Sequence, residues 1–193
     1  MIAHSSSRIR RRWPTAAFVL GLIATALILW RVATSRSLGT LPPAGVPVQV
    51  IRAIDGDTLL LEGGFRVRLL GVNTPETKHP DRPAEPFGQE AYEFTRNLVE
   101  QRDVTLEFDR ERLDNYRRLL AYVYLADGTL LNERLIESGH SPAVVSFPIR
   151  SDRKRIFEQA ERLAQKKIAG IWALPEWQVR LAEQKKRLEP RQD

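Results

Sequence analysis

Three short clusters in this 193-residue chain hold the side chains whose types and spacing suit chemistry. The first is Asp55-Gly56-Asp57-Thr58. The second runs from Arg68 to Asn73-Thr74-Pro75-Glu76, and the third is Asp114-Asn115-Tyr116-Arg117-Arg118. Carboxylates take protons and hold hard cations, whereas arginine stays charged at any working pH and offers a planar fork of donors to phosphate oxygens. Singly, no cluster is specific: an Asp-Gly-Asp is usually a hairpin turn, a strand arginine usually a surface residue, and a Pro-Glu usually a loop feature. The chain has no cysteine, which excludes disulfides, thiolate metal sites and a cysteine nucleophile. Any metal must sit on oxygen or imidazole ligands. His4, His79 and His140 share no ligand spacing and read as structural or surface residues.

The clusters must be positioned by the elements between them. Alternating apolar residues predict strands over 48–54, 58–61 and 65–70, with turns at Asp55-Gly56-Asp57 and Glu62-Gly63-Gly64. In the third strand Phe65, Val67 and Leu69 face one way and Arg66 and Arg68 the other. Residues 73–87 contain four prolines and must be a loop. A helix is expected over 88–101 with Ala91, Phe94, Leu98 and Val99 on its apolar side. Strands follow over 104–108 and 119–125, the latter apolar on both faces as in a central strand. A short helix over 130–138 stops at Gly139, and a longer one over 153–169 carries Ile156, Ala160, Leu163 and Ala164 inward. Tyr122 and Tyr124 fall on one strand face and read as packing residues. Five short strands with helices inserted and appended predict an α+β fold whose strands close into a small barrel.

The isoelectric point near 10.0 suggests an acidic partner until the charge is located. Residues 1–54 hold seven arginines and no acid, which leaves 23 basic and 24 acidic side chains, a net of −1, in residues 55–193. The excess is therefore N-terminal. Residues 14–30 run seventeen positions without charge, bordered by Trp13 and Trp30 and preceded by four arginines. A helix of that length spans roughly 25 Å, enough for a short membrane crossing. The expected organisation is a cytoplasmic basic segment (1–13), a transmembrane signal anchor (14–30), a linker (31–47), a domain (48–173) and a charged tail (174–193). The positive-inside bias places the N-terminus in the cytoplasm and the domain outside it, periplasmic or at the cell surface. Secretion after signal cleavage is the alternative, disfavoured by the length of the apolar run and by Arg31 directly after it. Residues 150–167 carry seven basic and three acidic side chains, a pattern read as a solvated helix face, with nucleic-acid contact as the alternative.

In order and spacing the three clusters resemble the active-site positions of the staphylococcal nuclease (thermonuclease) family. The likeness extends over residues 48–172 and includes Phe87-Gly88-Gln89-Glu90-Ala91 and Gly170-Ile171-Trp172. The resemblance implies an OB-type five-stranded barrel with about three helices, in agreement with the strand pattern. It also implies a calcium-dependent endonuclease acting on DNA, RNA or both, with no protein partner required. Carried over residue by residue, Arg68, Glu76 and Arg118 take the catalytic positions. Glu76 is the general base, and the arginines stabilise charge on the phosphoryl oxygens. Asp57 and Asn73 take calcium-ligand positions, Thr74 supplies a backbone carbonyl, and Tyr116 and Arg117 fall in the substrate-binding lip.

This chain departs from the family pattern at several of these places. Asn73 replaces a second ligating aspartate; it keeps an oxygen and loses a charge, which predicts weaker calcium binding. Asn115 replaces a lysine and Arg117 a glycine. Val145 and Phe147 stand where two nucleotide-stacking tyrosines are expected, and Phe147 keeps a ring able to stack. The competing functions are a non-catalytic OB module that binds nucleic acid and a membrane-tethered scaffold. Joint retention of Arg68, Glu76 and Arg118 argues against the first, and little beyond the anchor and the charged tail from Pro175 supports the second.

Overall fold

The computed structural model describes residues 41–77 and 83–179. The expected basic segment and anchor, most of the linker, His4, His79 and the end of the charged tail lie outside the described residues. Among the described residues no helix is long and apolar enough to cross a membrane.

Five strands form the frame: β1 (Pro47–Asp55), β2 (Thr58–Leu61), β3 (Arg66–Leu69), β4 (Asp103–Leu113) and β5 (Leu119–Tyr124). Their order is β1-β2-β3-β5-β4, and β4 pairs back onto β1 to close a barrel. All pairings are antiparallel except β3 with β5. Three helices complete this OB-like fold: α1 (Gly88–Val99), α2 (Leu131–Glu137) and α3 (Ser151–Lys167). Period-two patterning fills the barrel, because the inward positions of β2, β3 and β5 are apolar. Leu59, Leu61, Val67, Leu69, Leu119 and Val123 are buried there, each contributing about 2 kcal/mol of apolar burial.

The pairing of β3 decides where the chemistry-bearing residues meet. On one side Thr58 of β2 lies opposite Arg68, which brings the Asp55–Asp57 turn alongside. On the other, Val67 and Arg68 pair with Leu119 and Leu120, which brings in Arg118 just ahead of β5. Residues far apart in sequence thus converge at one end of β3.

Three expectations are corrected. Strand β4 does not end at 108; it runs to Leu113, with an outer half exposed on both faces and no alternation to reveal it. Its end is fixed instead by the pairing of Leu113 with Leu119. In α3 the residues turned to the core are Phe157, Ala160 and Ala164, while Leu163 is largely exposed. In α1 the buried line is Gly88, Ala91, Thr95 and Val99, with Phe94 and Leu98 half-buried at its edge. A threonine in the centre of an apolar stripe needs a polar partner. Thr95 finds one at the candidate site.

Candidate active site

The turn between β1 and β2 presents two carboxylates held in different ways. Asp55 Oδ1 accepts from the Gly56 amide at 2.8 Å and from Thr77 Oγ1 at 3.2 Å. Asp57 is buried; its Oδ1 accepts from Thr58 Oγ1 at 3.0 Å and its Oδ2 from the Thr74 amide at 3.0 Å. The turn packs so tightly on Thr74 that a Cβ at Gly56 would stand 2.7 Å from Thr74 Oγ1, so only glycine fits. Thr95 of α1 anchors the turn from behind, donating to the Gly56 carbonyl at 2.6 Å.

Arg68 reaches across this turn. Its Nη1 pairs with Asp57 Oδ2 at 3.0 Å and donates to the Val72 carbonyl at 2.9 Å, while Nη2 donates to Asn73 Oδ1 at 2.9 Å. The guanidinium is thus oriented by the loop that follows its own strand. Despite this pairing, burial holds the Asp57 carboxyl above the ordinary aspartate range. Asn73 is exposed and is fixed by its amide, which donates to Ser141 Oγ at 2.7 Å.

Glu76 faces solvent beside these groups. Partial desolvation, a hydrogen bond with Asp55 and repulsion from Asp55 and Asp57 push its carboxyl up to about 7, with Arg68 pulling the other way. A carboxyl poised there exchanges a proton readily near neutral pH. The cause is a local excess of carboxylates over cations.

The third cluster is a turn organised by Asp114. Its Oδ1 accepts the amides of Tyr116 and Arg118, each at 2.9 Å, and its Oδ2 pairs with Arg118 Nε at 2.7 Å. Burial opposes the Asp114 charge, but the bonds from the Arg118 amide and guanidinium outweigh it and hold this carboxyl low. Arg118 lies over the Tyr116 ring, 5.5 Å from its centre. Arg117 adopts a left-handed φ of 60°. A cleft of about 270 Å³ opens between this turn and β3, lined by Arg68, Arg118, Tyr116, Asn115, Val144 and Phe147. The structure therefore brings Arg68 and Arg118 to one cavity under an aromatic lip in which Tyr116 is 74% exposed. Phe147 joins that lip; Val145 instead packs on the core, and Arg117 does not line the cavity. A larger cavity of about 590 Å³ lies beside Tyr124, Arg134 and Arg153, and none of the three clusters reaches it.

The residues expected to hold calcium fit a hard cation in donor type. Asp57, Asn73 and Thr74 offer only oxygens, and Thr74 Oγ1 is buried without a hydrogen-bond partner. Only one of the three carries a charge, and Arg68 already engages both Asp57 and the Asn73 amide oxygen. Among the described residues no three acidic or histidine side chains converge into a metal-binding group. The donor set fits a weakly held ion.

Three residues that position the site have no role assigned from sequence, although Asp114 stands in the third cluster. Asp114 had a signal in the Asp-x-x-x-Arg spacing of a side-chain-capped turn, whereas Thr95 and Ser141 had none. The remaining histidine near this region is structural. His140 stacks on Phe94 at 4.0 Å, and burial lowers it to about 4 despite the pull of Glu90.

Comparison with known proteins agrees with this arrangement. The family model described as "Staphylococcal nuclease homologue" matches residues 66–174, more than half of the chain. A thermonuclease of Staphylococcus hyicus is 35% identical over 161 residues, covering 79% of this chain and 94% of that protein. A thermonuclease of Staphylococcus intermedius is 44% identical over 127 residues, covering 64% and 74% respectively. Endonuclease YncB of Bacillus subtilis is 40% identical over 134 residues, 66% of this chain and 62% of its own length. The chain belongs to the staphylococcal nuclease family.

Proposed function

We propose that this protein is a nuclease that hydrolyses phosphodiester bonds of DNA, RNA or both, cutting as an endonuclease. The observation that carries the reading is the opening of Arg68 and Arg118 onto one cleft, with the raised Glu76 carboxyl within electrostatic reach of Arg68. Glu76 takes the proton of the attacking water. Arg68 and Arg118 donate to the non-bridging phosphoryl oxygens, where negative charge grows in the transition state. Because Asp57, Val72 and Asp114 already orient the two guanidinium groups, little reorganisation is left for the reacting complex. Tyr116 and Phe147 receive a nucleotide base on their exposed rings, and the exposed Arg117 in the same turn adds positive charge near the substrate without lining the cleft. Calcium, held by Asp57, Asn73 and Thr74, would supply a hard Lewis acid at the phosphate.

The same proposal places the enzyme at a membrane. Residues 14–30 anchor it, residues 1–13 stay in the cytoplasm, and the nuclease domain over 48–173 works on the outer side. Seventeen uncharged residues behind four arginines support this part.

The test is hydrolysis of single-stranded DNA and RNA by the full chain, beside Glu76→Gln. Cleavage lost in the variant supports the reading. Unchanged cleavage refutes Glu76 as the base, and binding without cleavage by the folded wild type favours a non-catalytic module. Extraction of the native protein only by detergent, and not by alkaline carbonate, is expected of the anchor.

A further inference from the structure

Residues 83–87 lead into α1 directly against the Glu76 peptide, and this contact is stitched twice. The Glu85 amide donates to the Glu76 carbonyl at 2.9 Å, and the Glu76 amide donates to Glu85 Oε2 at 3.1 Å. The Gly88 amide then donates to the Glu85 carbonyl at 3.0 Å, which fixes the strap to the first residue of α1. Gly88 is buried and presses on the same peptide: a Cβ there would stand 2.7 Å from the Glu76 carbonyl oxygen and 3.1 Å from that of Pro75. Two turns along the same helix, Thr95 holds the Gly56 carbonyl in the turn that carries Asp55 and Asp57. One rigid helix therefore references both the Glu76 backbone and the turn whose aspartate pairs with Arg68.

We infer that Glu85 and Gly88 are positioning residues that set the place of Glu76 relative to the Asp57–Arg68 pair. The inference rests on the reading of Glu76 as the base. Misplacing a reacting group by about 1 Å costs on the order of 100-fold in rate, so a backbone clamp of this kind acts on turnover more than on substrate binding.

The experiment uses the full chain and compares wild type, Glu85→Ala, Glu85→Gln, Gly88→Ala and Glu76→Gln. The readouts are kcat, KM, thermal midpoint and hydrogen exchange of the Glu76 amide. Glu85→Ala is expected to lower kcat about 3- to 10-fold at unchanged KM and thermal midpoint, and to speed Glu76 amide exchange by a similar factor. Glu85→Gln, which keeps an acceptor oxygen, is expected to restore most of both. Gly88→Ala pushes directly on the Glu76 carbonyl and is expected to lower kcat by about 10- to 100-fold. Wild-type kcat with unchanged amide exchange in Glu85→Ala overturns the inference, whether or not Gly88→Ala folds. If Glu76→Gln cleaves normally, the base assignment fails instead, and amide exchange alone then decides whether the clamp exists.

Discussion

Two clusters of arginine, carboxylate and aromatic side chains sit on this barrel, and their composition is nearly the same. On β4 and β5, away from the cleft, Glu107 accepts from Arg150, Arg153 and Tyr124, with Arg150 at 2.5 Å and Arg153 at 2.7 Å. Asp109 accepts from Tyr122 at 2.7 Å and from the Arg150 amide at 2.9 Å. Both arginines lie over the buried Tyr122 ring. Burial opposes the charge on Glu107 and Asp109, but these hydrogen bonds and cations overcome it and hold both carboxyls low. At the cleft Asp114 is likewise held low, with burial again outweighed by Arg118. In the β1–β2 turn and the loop after β3, joined to the cleft through Arg68, the balance is reversed. Asp57 and Glu76 are raised, and Tyr116 and Phe147 turn their rings outward.

The contrast shows that residue type alone does not distinguish the two clusters. Charge balance and access do. Where cations match carboxylates and rings are buried, the cluster ties α3 to the barrel. Where carboxylates are in excess beside an open cleft, they retain capacity for a proton, a cation or a phosphate. The basic run over 150–167 resolves in the same terms, since Arg150 and Arg153 at its start are engaged by Glu107, and Lys167 at its end lies 3.8 Å from Glu137.

Substitutions that exchange the behaviour of the two clusters test this division. Arg118→Ala is expected to lower kcat by about 100- to 1,000-fold with a small change in thermal midpoint, because a donor to the developing charge is lost. Glu107→Ala is expected to do the opposite. It leaves the mostly buried Arg153 without its carboxylate and costs about 2 kcal/mol by chemical denaturation, with kcat per folded molecule unchanged. A matching loss of kcat would show that the two regions are coupled.

Smaller effects sharpen the picture. His140 is held near 4 in the folded chain, below its ordinary value of 6.5, so the unfolded chain binds more protons between those limits. Its contribution is complete above pH 6.5 and is lost as pH falls toward 4, on the order of 1–2 kcal/mol after solvent screening. The raised Glu76 carboxyl gains stability over the same pH range and offsets this fall in wild type. The readout is therefore the difference between wild type and His140→Phe: the thermal midpoint of wild type should drop relative to that of the variant between pH 7 and pH 5. The smallest effect is expected at Arg117, whose φ of 60° burdens a side chain that does not line the cleft. Arg117→Gly should raise stability by about 0.5 kcal/mol and leave kcat near wild type.

Much of the barrel was legible in sequence because β1, β2 and β3 bury one face and alternate accordingly. The outer half of β4 escaped because both its faces meet solvent, so Asp109-Arg110-Glu111-Arg112 carries no period. The parallel pairing of β3 with β5, which joins Arg68 to Arg118, leaves no local pattern at all. Arg68, Glu76 and Arg118 stood out by motif order alone. The groups that hold them did not, since Thr95 in a helix stripe, Ser141 in a loop and Glu85 among prolines are ordinary until their partners are placed. In α3, Ile156 does pack on the core, but Leu163 satisfied the helical period as well as Phe157 did. Only packing against the barrel turned Phe157 inward.

We propose that catalysis belongs to the unbalanced cluster around Asp57, Arg68 and Glu76. This assignment is tested most directly by hydrolysis of single-stranded DNA by the full chain with calcium, with magnesium and with chelator, beside Glu76→Gln and Asn73→Asp. Calcium-dependent cleavage is expected, reduced by about 100-fold or more in Glu76→Gln. Activity at lower calcium is also expected in Asn73→Asp, which restores a ligand charge. Cleavage by folded Glu76→Gln at the wild-type rate would contradict the assignment.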